Sequence, residues 1–194
     1  MTASYHDIKG KSVLVTGGAS GIGASIVRAF CAQGARVGFF DIDDAAAEKL
    51  YAEIERDLDV RPHYMSLDLR DQAGIPKAVT EMASKIGVID VLVNNEAGDD
   101  RHSQEETGPD EWREKLDVNL SHQFFCSRAV AKGMAEKGRG SIINFSSVSY
   151  LMGLPDLVGY ETAKAGIVGM TRALARDWGA DGIRVNTVIP GCII

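Results

Sequence analysis

The sequence predicts a doubly wound α/β fold, in which helices cover both faces of a parallel sheet. Two observations favour this class. Short apolar runs rich in β-branched residues alternate with longer helical patterns along the whole chain, and the strand segments are apolar on both faces. Strands with two apolar faces belong in a parallel sheet buried between helices. The repeated strand–helix order then indicates the doubly wound class.

The composition agrees with one folded domain. The chain has 194 residues, of which 45% are hydrophobic and 25% are charged. These values are typical of globular proteins and exclude intrinsic disorder. The length predicts a single domain over residues 1–194, and a chain of this size buries roughly 70% of its unfolded surface without a disulfide or metal. The 21 glycines and 5 prolines indicate tight turns rather than linkers.

Six strands are expected from short apolar runs that turn residues delimit. The first run is brief and wholly apolar, and the fourth is apolar throughout most of its length. The expected strands are residues 13–15, 36–40, 62–67, 88–93, 141–145 and 184–189.

Helical patterns occupy the intervals between these strands. The second is rich in Ala and Glu, and the last is long. The expected helices are residues 24–33, 43–58, 73–86, two stretches within 112–137 that separate near Asn119, and 160–178. Internal repeats and low-complexity segments are absent from the sequence.

The charge and hydropathy patterns exclude several classes of function. The net charge is −6, and without a basic stripe the chain cannot replace the counterions of a nucleic acid. Its apolar runs fall short of the roughly 20 residues that a membrane span needs. Residues 1–9 lack the apolar core of a signal peptide. We therefore expect a cytoplasmic protein with neither a nucleic-acid nor a membrane partner.

The cysteines and histidines do not form a metal motif. Cys31, Cys126 and Cys192 are far apart and lack the spacing of metal ligands. His102 and His122 come nearest to a histidine pair, but neither a cysteine nor a third histidine accompanies them. We expect three reduced thiols and no metal site.

A glycine-rich loop, residues 16–23, joins the first strand to the first helix. Gly17 allows a tight turn, Gly21 lets the backbone approach a pyrophosphate, and Gly23 permits close helix–strand packing. The free N–H groups of the helix N-terminus favour an anion. A purely structural turn is the alternative, but the position between a strand and a helix matches a dinucleotide loop. The expected cofactor-binding residues are Gly17, Ser20, Gly21, Ile22 and Gly23.

Asp41 ends the second strand and follows Gly23 at close to the ~20 residues expected of a ribose-binding carboxylate. A carboxylate there accepts hydrogen bonds from the adenosine ribose and repels a 2′-phosphate. Neither Ser20 nor Ile42 is basic, so nothing nearby offsets that repulsion. We therefore expect NAD rather than NADP. Asp43, rather than Asp41, is the expected cap of the following helix.

Tyr160 and Lys164 lie one helical turn apart and share a helix face. Ser146 and Ser147 end the fifth strand at its carboxyl end, where doubly wound sheets place their sites. A lysine ammonium beside a phenol favours the phenolate, so we expect a pKa of Tyr160 below its usual ~10. Tyr160 would then be a general base near neutral pH.

Taken together, these motifs resemble the short-chain dehydrogenase/reductase family over the whole chain. The resemblance implies a Rossmann-type nucleotide-binding fold, hydride transfer with NAD, and assembly into dimers or tetramers. The shared positions are the 16–23 loop, Asp68, Leu69, Asn94, Asn95, Asn119, Ser147, Tyr160, Lys164, Pro190 and Gly191.

The resemblance also implies catalytic roles. Tyr160 would transfer the proton, and Lys164 would bind the nicotinamide ribose and lower the pKa of the tyrosine. Ser147 would hold the substrate oxygen. Asn119 would kink its helix and anchor a water molecule of the proton relay.

Further cofactor contacts follow from the same resemblance. Asp68 would contact the adenine, with Leu69 beside it, and Asn94 would lie on the adenosine side of the cofactor. Pro190 and Gly191, just after the sixth strand, complete the expected cofactor-binding set. Each residue alone is also compatible with a core or capping role.

A narrower resemblance is to the branch of this family that contains D-xylose and other aldose 1-dehydrogenases. It is carried by residues 99–102, 118–126 and 157–166. It implies oxidation of a cyclic sugar at its anomeric carbon, giving a lactone. A solvated loop with a local Asp–Arg pair is the alternative for 99–102. The expected substrate contacts are Asp99, Arg101, His102 and Ser149.

Two other functions stay open. One is a short-chain dehydrogenase for another secondary alcohol or ketone, which the polar run 99–102 disfavours when the substrate is apolar. The other is a catalytically silent NAD-binding protein, which Ser147, Tyr160 and Lys164 disfavour. In the two long helices, apolar residues fit either an interface between copies or the core: Phe124, Phe125, Leu174 and Trp178.

Two features depart from the family pattern. Glu96 follows Asn94 and Asn95 where the family has a small residue. Either its carboxylate takes the small residue's place and crowds the cofactor ribose, or the loop bulges by one residue. The sequence also ends shortly after Gly191, where relatives continue with a substrate-covering loop and a seventh strand. We expect a fragment of a longer protein, or else a truncated chain without efficient catalysis.

Overall fold

A computed structural model describes residues 4–191. Six strands form one sheet in the order β3-β2-β1-β4-β5-β6, and every neighbouring pair is parallel. This arrangement confirms the predicted doubly wound α/β class. The strands are β1 (Ser12–Thr16), β2 (Arg36–Asp41), β3 (His63–Ser66), β4 (Val91–Asn94), β5 (Gly140–Phe145) and β6 (Ile183–Val188).

Seven α-helices flank this sheet within the described part of the chain. A π-helical turn, Asp117–Ser121, joins the fourth helix to the fifth, and a 3-10 turn, Gly179–Asp181, follows the last. The helices are α1 (Gly21–Ala32), α2 (Asp44–Leu58), α3 (Ile75–Ile86), α4 (Pro109–Leu116), α5 (His122–Glu136), α6 (Ser149–Met152) and α7 (Val158–Trp178).

The winding of the chain reverses between β1 and β4. Residues 4–66 wind from β1 outwards to β3, and the later strands wind from β4 outwards to β6. The registers align Thr16 with Asn94, and Asn94 with Asn144, so the carboxyl ends of these strands lie side by side. In doubly wound sheets this reversal point is where ligands bind.

The sheet is covered on both faces, and each face has its own apolar layer. On one face Val13, Val15 and Phe39 pack against α1 and α2. On the other, Leu14 and Phe40 pack against α3, α5 and α7. Because side chains alternate along a strand, neighbouring residues of β1 and β2 serve opposite layers. This alternation explains why the strands are apolar throughout.

Several element bounds differ from the sequence prediction. The fourth strand begins at Val91 rather than at Val88, whose carbonyl accepts a hydrogen bond from Lys137 (2.8 Å) instead of a strand partner. Helix α4 begins at Pro109 rather than at the predicted residue 112, because a proline suits the first turn of a helix. The one-turn helix α6 was not predicted, since four residues show too little periodicity.

The two described cysteines lie within the core. Burial raises the pKa of the Cys31 thiol to about 11 and that of Cys126 to about 12, so both stay protonated at neutral pH. Cys192 lies outside the described residues. Across residues 4–191, the helices lack the length and apolarity that crossing a membrane requires, and the His, Cys, Asp and Glu side chains form no metal-binding group.

The apolar residues of the long helices divide between core and surface. Leu174 is buried in the layer beneath α7, whereas Phe124, Phe125 and Trp178 are only partly buried against that layer. The guanidinium of Arg128 lies over both phenyl rings, 5.7 and 5.0 Å from their centroids. Assembly with a second copy through these helices stays a prediction.

Replacement of Ile142 by Ala tests the packing of the sheet. Ile142 lies in β5 between two paired strands and is fully buried. We expect the free energy of unfolding to fall by about 2–5 kcal/mol, because the smaller side chain leaves a cavity. Urea denaturation measures this loss. The control is Leu151→Ala on the exposed surface of α6, with a change within about 0.5 kcal/mol. Equal losses in the two variants would contradict the described core.

Candidate active site

A cavity of about 240 Å³ lies at the carboxyl ends of β2 and β4 and the loop after β3. It is bordered by residues that the sequence assigned to a cofactor, among them Asp41, Asp68 and Leu69. Glu96 and Gly98, from the loop after β4, form another wall. Three of the predicted cofactor residues therefore border one cavity at the carboxyl ends of the strands.

Two positions of the glycine-rich loop, Gly17 and Gly23, leave no room for a side chain. Gly17 and Gly21 have φ angles of 63° and 54°, in the left-handed region that favours glycine. A Cβ at Gly23 would overlap the carbonyl oxygen of Gly17. The Asn95 side-chain amide donates to the Thr16 and Gly17 carbonyls (3.2 and 3.0 Å), which holds the loop against β4.

The start of α1 is open to a ligand. Its first turn follows Ser20, which has an extended backbone and makes no side-chain capping bond. Within the described chain no atom lies within 4 Å of the position that a Gly21 Cβ would take, and the neighbouring Ile22 is exposed. Uncapped N–H groups at a helix N-terminus can bind an anionic group such as a phosphate.

Asp41 lies where its carboxylate links β2 to the glycine-rich loop. One carboxylate oxygen accepts a hydrogen bond from the Ala19 N–H (2.8 Å). The other accepts from the N–H groups of Ile42 and Asp43 (2.8 and 3.1 Å). Asp43 caps α2 by accepting from the Ala46 N–H (2.9 Å), which confirms the predicted assignment of that cap.

Asp68 borders the cavity but is held by a cation that the sequence analysis did not single out. The Arg70 guanidinium donates to its carboxylate (2.8 Å), and this bond holds the pKa of Asp68 below its usual range. Arg70 also donates to Glu114 on α4 (2.6 Å). Leu69 is buried beside them. The predicted contact of Asp68 with adenine stays a prediction.

The side chain of Asn94 points away from the cavity, contrary to its predicted place beside the cofactor. Its amide donates to Asn144 (2.8 Å) and Ser127 (3.1 Å), and Asn144 in turn donates to Thr171 (2.9 Å). Successive residues of a strand face opposite sides of the sheet. The next residue, Asn95, therefore makes the contacts with the glycine-rich loop.

Tyr160, Lys164 and Ser147 come together at the carboxyl end of β5. Helix α7 places the Lys164 Nζ 5.3 Å from the centroid of the Tyr160 ring. Lys164 is only 1% exposed, and its ammonium donates to the Phe145 carbonyl (3.1 Å). The Ser147 hydroxyl lies close enough to the Tyr160 side chain to lower the pKa of that phenol. The three residues therefore form the cluster that the sequence predicted.

The protonation of this cluster differs from the expectation. Burial raises the pKa of Tyr160, and the charge of Asp99 adds to this effect, while the neighbouring Ser147 hydroxyl opposes it. Burial also lowers the pKa of Lys164 to about 8. In the chain alone burial therefore keeps the pKa of Tyr160 above its usual value, and the Lys164 ammonium is directed at the Phe145 carbonyl. The expected lowering of the tyrosine pKa stays a prediction for the site with its cofactor bound.

Asn119 lies at the centre of the π-helical turn and is fully buried. Its side-chain amide donates to the Gly98 and Lys115 carbonyls (2.9 and 3.0 Å), and its oxygen accepts from the Gly98 N–H (3.1 Å). The widened turn agrees with the predicted irregularity at this residue. The side chain ties α4 and the π turn to the loop after β4, and its place in a proton relay stays a prediction.

His102 has a different place from the predicted substrate contact. The ring is buried, with Nδ1 at 3.0 Å from the Asp100 carbonyl and Nε2 accepting from the Gly159 N–H (3.0 Å). These partners assign a neutral ring with the proton on Nδ1. The backbone N–H of His102 donates to the Asp156 carbonyl (2.9 Å). His102 therefore joins the loop after β4 to the start of α7 and has no ring nitrogen free for a substrate.

Arg101 also turns towards the protein. Its guanidinium donates to the Pro155 carbonyl (2.5 Å), so the alternative of a local Asp–Arg pair does not describe this arginine. Asp99 is exposed, and its charge acts on Tyr160. Ser149 is buried, its N–H donates to the Ser147 hydroxyl (3.2 Å), and its own hydroxyl has no partner among the described residues. Asp99 and Ser149 therefore keep the groups that a substrate could use.

Two buried residues beside the cluster were missed by the sequence analysis. Gln123 donates to the Phe145 carbonyl (3.3 Å), the same oxygen that Lys164 uses. Its side-chain oxygen and the Nε2 of His122 have no partner within the described chain. Burial lowers the pKa of His122 to about 3, so the ring is neutral. Both lie at the start of α5, where only their polarity amid an apolar helix face signals them.

Pro190 and Gly191 follow β6 beside the end of β5. The Pro190 carbonyl accepts from the Val148 N–H (3.1 Å), and the Val188 carbonyl accepts from the Ser146 N–H (2.9 Å). Pro190 also borders an apolar groove with the exposed side chain of Ile22. The structure therefore brings Pro190 near Val148, which follows Ser147, and near Ile22 of α1.

Glu96 lies directly against the glycine-rich loop. Its N–H donates to the Thr16 hydroxyl (3.2 Å), and a Cβ at Gly17 would overlap its carboxylate. Burial raises the pKa of Glu96 to about 7, the charges of Asp41 and Asp68 add to this rise, and Lys164 opposes it. Of the two alternatives for this loop, the structure therefore places the carboxylate beside Gly17, where it crowds the cofactor-binding residues.

Replacement of His102 by Ala tests the link between the loop and α7. We expect the free energy of unfolding to fall by about 1–3 kcal/mol, because the buried Gly159 N–H loses its acceptor. Hydrogen exchange at the Gly159 amide should become faster. Arg101→Ala, which removes an exposed bond to Pro155, is the control and should leave that amide protected. Unchanged exchange in the His102 variant would contradict the described link.

Comparisons with known proteins agree with this geometry. Residues 11–194 match the family model described as short chain dehydrogenase. The chain is 48% identical over 190 residues to the D-xylose 1-dehydrogenase of Caulobacter vibrioides, covering 98% of this chain and 75% of that protein. It is 45% identical over 193 residues to the "Probable galactose dehydrogenase GalD" of Rhizobium meliloti, covering 100% and 75%.

A solved structure shows the same fold. A crystal structure of a Sinorhizobium meliloti protein assigned as a short-chain alcohol dehydrogenase superposes with a TM-score of 0.89 at 33% identity. The match covers 94% of this chain and 72% of that protein. The glycine-rich loop, the Ser147, Tyr160 and Lys164 cluster and these matches lead to one assignment. The chain belongs to the short-chain dehydrogenase family and is an oxidoreductase.

Proposed function

We propose that the chain oxidises a cyclic aldose at its anomeric carbon, with NAD as hydride acceptor and a lactone as product. The observation that carries the proposal is the cluster at the end of β5. There the Ser147 hydroxyl lies beside the Tyr160 side chain, and the Lys164 ammonium is 5.3 Å from the centroid of the Tyr160 ring. A phenol positioned between a hydroxyl and a buried cation suits proton transfer to or from a substrate oxygen.

The residues at the reversal point fit a dinucleotide. Gly17 and Gly23 leave no room for a Cβ, while the backbone at Gly21 is open and α1 begins without a side-chain cap. These features would receive the pyrophosphate. Asp41 lies at the end of β2, where its carboxylate would accept from ribose hydroxyls and repel a 2′-phosphate. The chain offers no basic residue at Ser20 or Ile42 to reverse that preference.

The chain's own residues would carry out the proton transfer. Ser147 would donate to the substrate oxygen, and Tyr160 would accept the proton that the hydroxyl loses. Bound NAD would supply the acceptor for the hydride that leaves the carbon bearing this hydroxyl. Because burial raises the pKa of Tyr160, its phenolate needs the positive charge of Lys164 close by. The alcohol thus loses one proton and one hydride, which leaves the lactone and NADH.

The two curated relatives support a sugar as substrate, since their names specify galactose and D-xylose. Within the described residues, the Ser149 hydroxyl is buried without a partner, and Asp99 is exposed near Tyr160. A polyhydroxylated substrate needs such donors and acceptors. The contacts of Arg101 and His102 would instead hold the walls of the substrate site in place.

A second reading concerns the direction of the reaction. The raised pKa of Tyr160 keeps the phenol protonated at neutral pH, and a protonated phenol can donate to a carbonyl oxygen. Reduction of a ketone or lactone is therefore the alternative to oxidation.

Three further expectations complete the proposal. The chain forms a single domain over residues 1–194, and it assembles into homo-oligomers. It is located in the cytoplasm, which the free thiols of Cys31 and Cys126 support.

Replacement of Tyr160 by Phe tests the proposed proton transfer. We expect NADH formation with an aldose to fall by at least about 10²-fold, because the proton acceptor is lost. Absorbance of NADH with a panel of aldoses measures turnover, and thermal shift with NAD measures binding, which should persist. Tyr5→Phe is the matched control, because Tyr5 precedes Lys9 at the same spacing but is exposed before β1.

Two outcomes would contradict the proposal. Equal turnover in the Tyr160 and Tyr5 variants would remove Tyr160 from the reaction. Failure of NAD to raise the melting temperature of the unmodified chain would reject the dinucleotide site itself.

Replacement of Asp41 by Asn tests the preference for NAD. We expect NAD to bind about 10-fold more weakly and NADP to bind more tightly than before, since the amide no longer repels a 2′-phosphate. Titration calorimetry with each cofactor measures both dissociation constants. Asp43→Asn is the control, because asparagine also caps helices and the residue lies outside the loop contact. An unchanged NAD-to-NADP ratio would contradict the role of Asp41.

A further inference from the structure

We propose that Glu96 controls the affinity of the site for its cofactor: the neutral carboxyl permits NAD to bind, and the ionised carboxylate opposes it. Binding of NAD would therefore be coupled to the uptake of one proton at Glu96. This inference rests on the proposed function, because it takes the dinucleotide as the ligand of the cavity.

The position of Glu96 is the first argument. Its backbone is held by the Thr16 hydroxyl (3.2 Å), and its carboxylate lies over Gly17 in the glycine-rich loop. The carboxylate also borders the cavity that Asp41 and Asp68 border. A ligand that places its phosphates at the loop and its ribose at Asp41 must therefore lie against the Glu96 side chain.

The charge of the surroundings is the second argument. The carboxylates of Asp41 and Asp68 act on Glu96 from the β2 and β3 ends, and among the described residues the Lys164 ammonium acts on it with the opposite charge. Arg70 is paired with Asp68 and Glu114, and Lys115 lies near Asp100. The other charged residues around the cavity are Arg70, Asp100, Glu111, Glu114 and Lys115.

The chemistry of the ligand gives the sign of the effect. NAD carries a negatively charged pyrophosphate, so an ionised Glu96 adds repulsion in a partly desolvated cavity. A protonated carboxyl removes that charge and can donate one hydrogen bond. Lys164 offsets part of the repulsion but is already directed at the Phe145 carbonyl. Binding therefore favours the neutral form of Glu96.

The carboxyl group of Glu96 changes its charge near neutral pH. Burial, with the charges of Asp41 and Asp68, raises its pKa to about 7. The neutral fraction therefore decreases between pH 6 and pH 8. If only that form permits binding, the apparent dissociation constant of NAD rises by about 10-fold over this interval.

Calorimetric titration of the whole chain with NAD at pH 6, 7 and 8 tests the proposal. We expect the unmodified chain to bind about 10-fold more weakly at pH 8 than at pH 6. Glu96→Gln should bind with little dependence on pH and more tightly than the unmodified chain at pH 8. Asp100→Asn is the matched control, since this exposed carboxylate borders the same cavity, and it should retain the dependence on pH.

Thermal unfolding without ligand provides a second readout. A carboxyl with a raised pKa in the folded state binds its proton more tightly there than in the unfolded chain. Below the pKa of about 4.3 that a glutamate has in the unfolded chain, Glu96 is protonated in both states and its ionisation does not change the free energy of unfolding. As the pH rises from there towards 7, the unfolded chain loses this proton first, so the folded state becomes less stable relative to it. Glu96→Gln should melt at a higher temperature than the unmodified chain at pH 8, and the difference should shrink towards pH 5.

The outcomes separate this inference from the proposed function. Binding of NAD with no change between pH 6 and pH 8, or with the same change in Glu96→Gln, would overturn the role of Glu96 and leave the dinucleotide site intact. Absence of NAD binding in every variant at every pH would overturn the proposed function, and the coupling with it.

Discussion

The structure depends on one close approach of backbone to backbone, between Gly23 in α1 and the carbonyl of Gly17 after β1. Because no side chain fits between them, the helix begins directly at the carboxyl end of the central strand. The Asn95 amide then binds the Gly17 carbonyl, which brings the loop after β4 to the same place. Asp41 binds the loop from the other side through Ala19. This contact therefore sets the place of the glycine-rich loop between the ends of β2 and β4.

The fold could be predicted from the sequence because its signals are local. Alternating apolar strands and helices define a parallel sheet, and the glycine spacing after β1 predicts the turn into the first helix, which begins at Gly21 rather than at the predicted residue 24. The cluster of Ser147, Tyr160 and Lys164 was also predictable, since the last two share a helix face and the first ends a strand. Bounds such as the start of β4 were less certain, because an apolar run does not show which residues, Val88 among them, find a strand partner.

The parts of the site that could not be predicted depend on the hydrogen-bond partners and the burial of individual side chains. His102 was predicted as a substrate contact, but its ring nitrogens are taken by the Asp100 carbonyl and the Gly159 N–H. Spacing does not reveal such partners, since they come from distant segments. The pKa of Tyr160 differs for a related reason: a neighbouring lysine suggests a lower value, whereas the degree of burial, which raises it, depends on the whole fold.

The buried chain of amides from Asn94 through Asn144 to Thr171 has a consequence for strand pairing. Apolar strands would tolerate a shift of one partner along the other, since their side chains are nearly interchangeable. The bond between Asn94 and Asn144 (2.8 Å) exists only when β4 and β5 align these two residues. A displaced alignment would leave amides buried without partners, at a cost of about 1–3 kcal/mol each. The polar chain thus selects one alignment among many apolar ones, and its bond from Asn144 to Thr171 joins that alignment to α7, the helix that carries Tyr160.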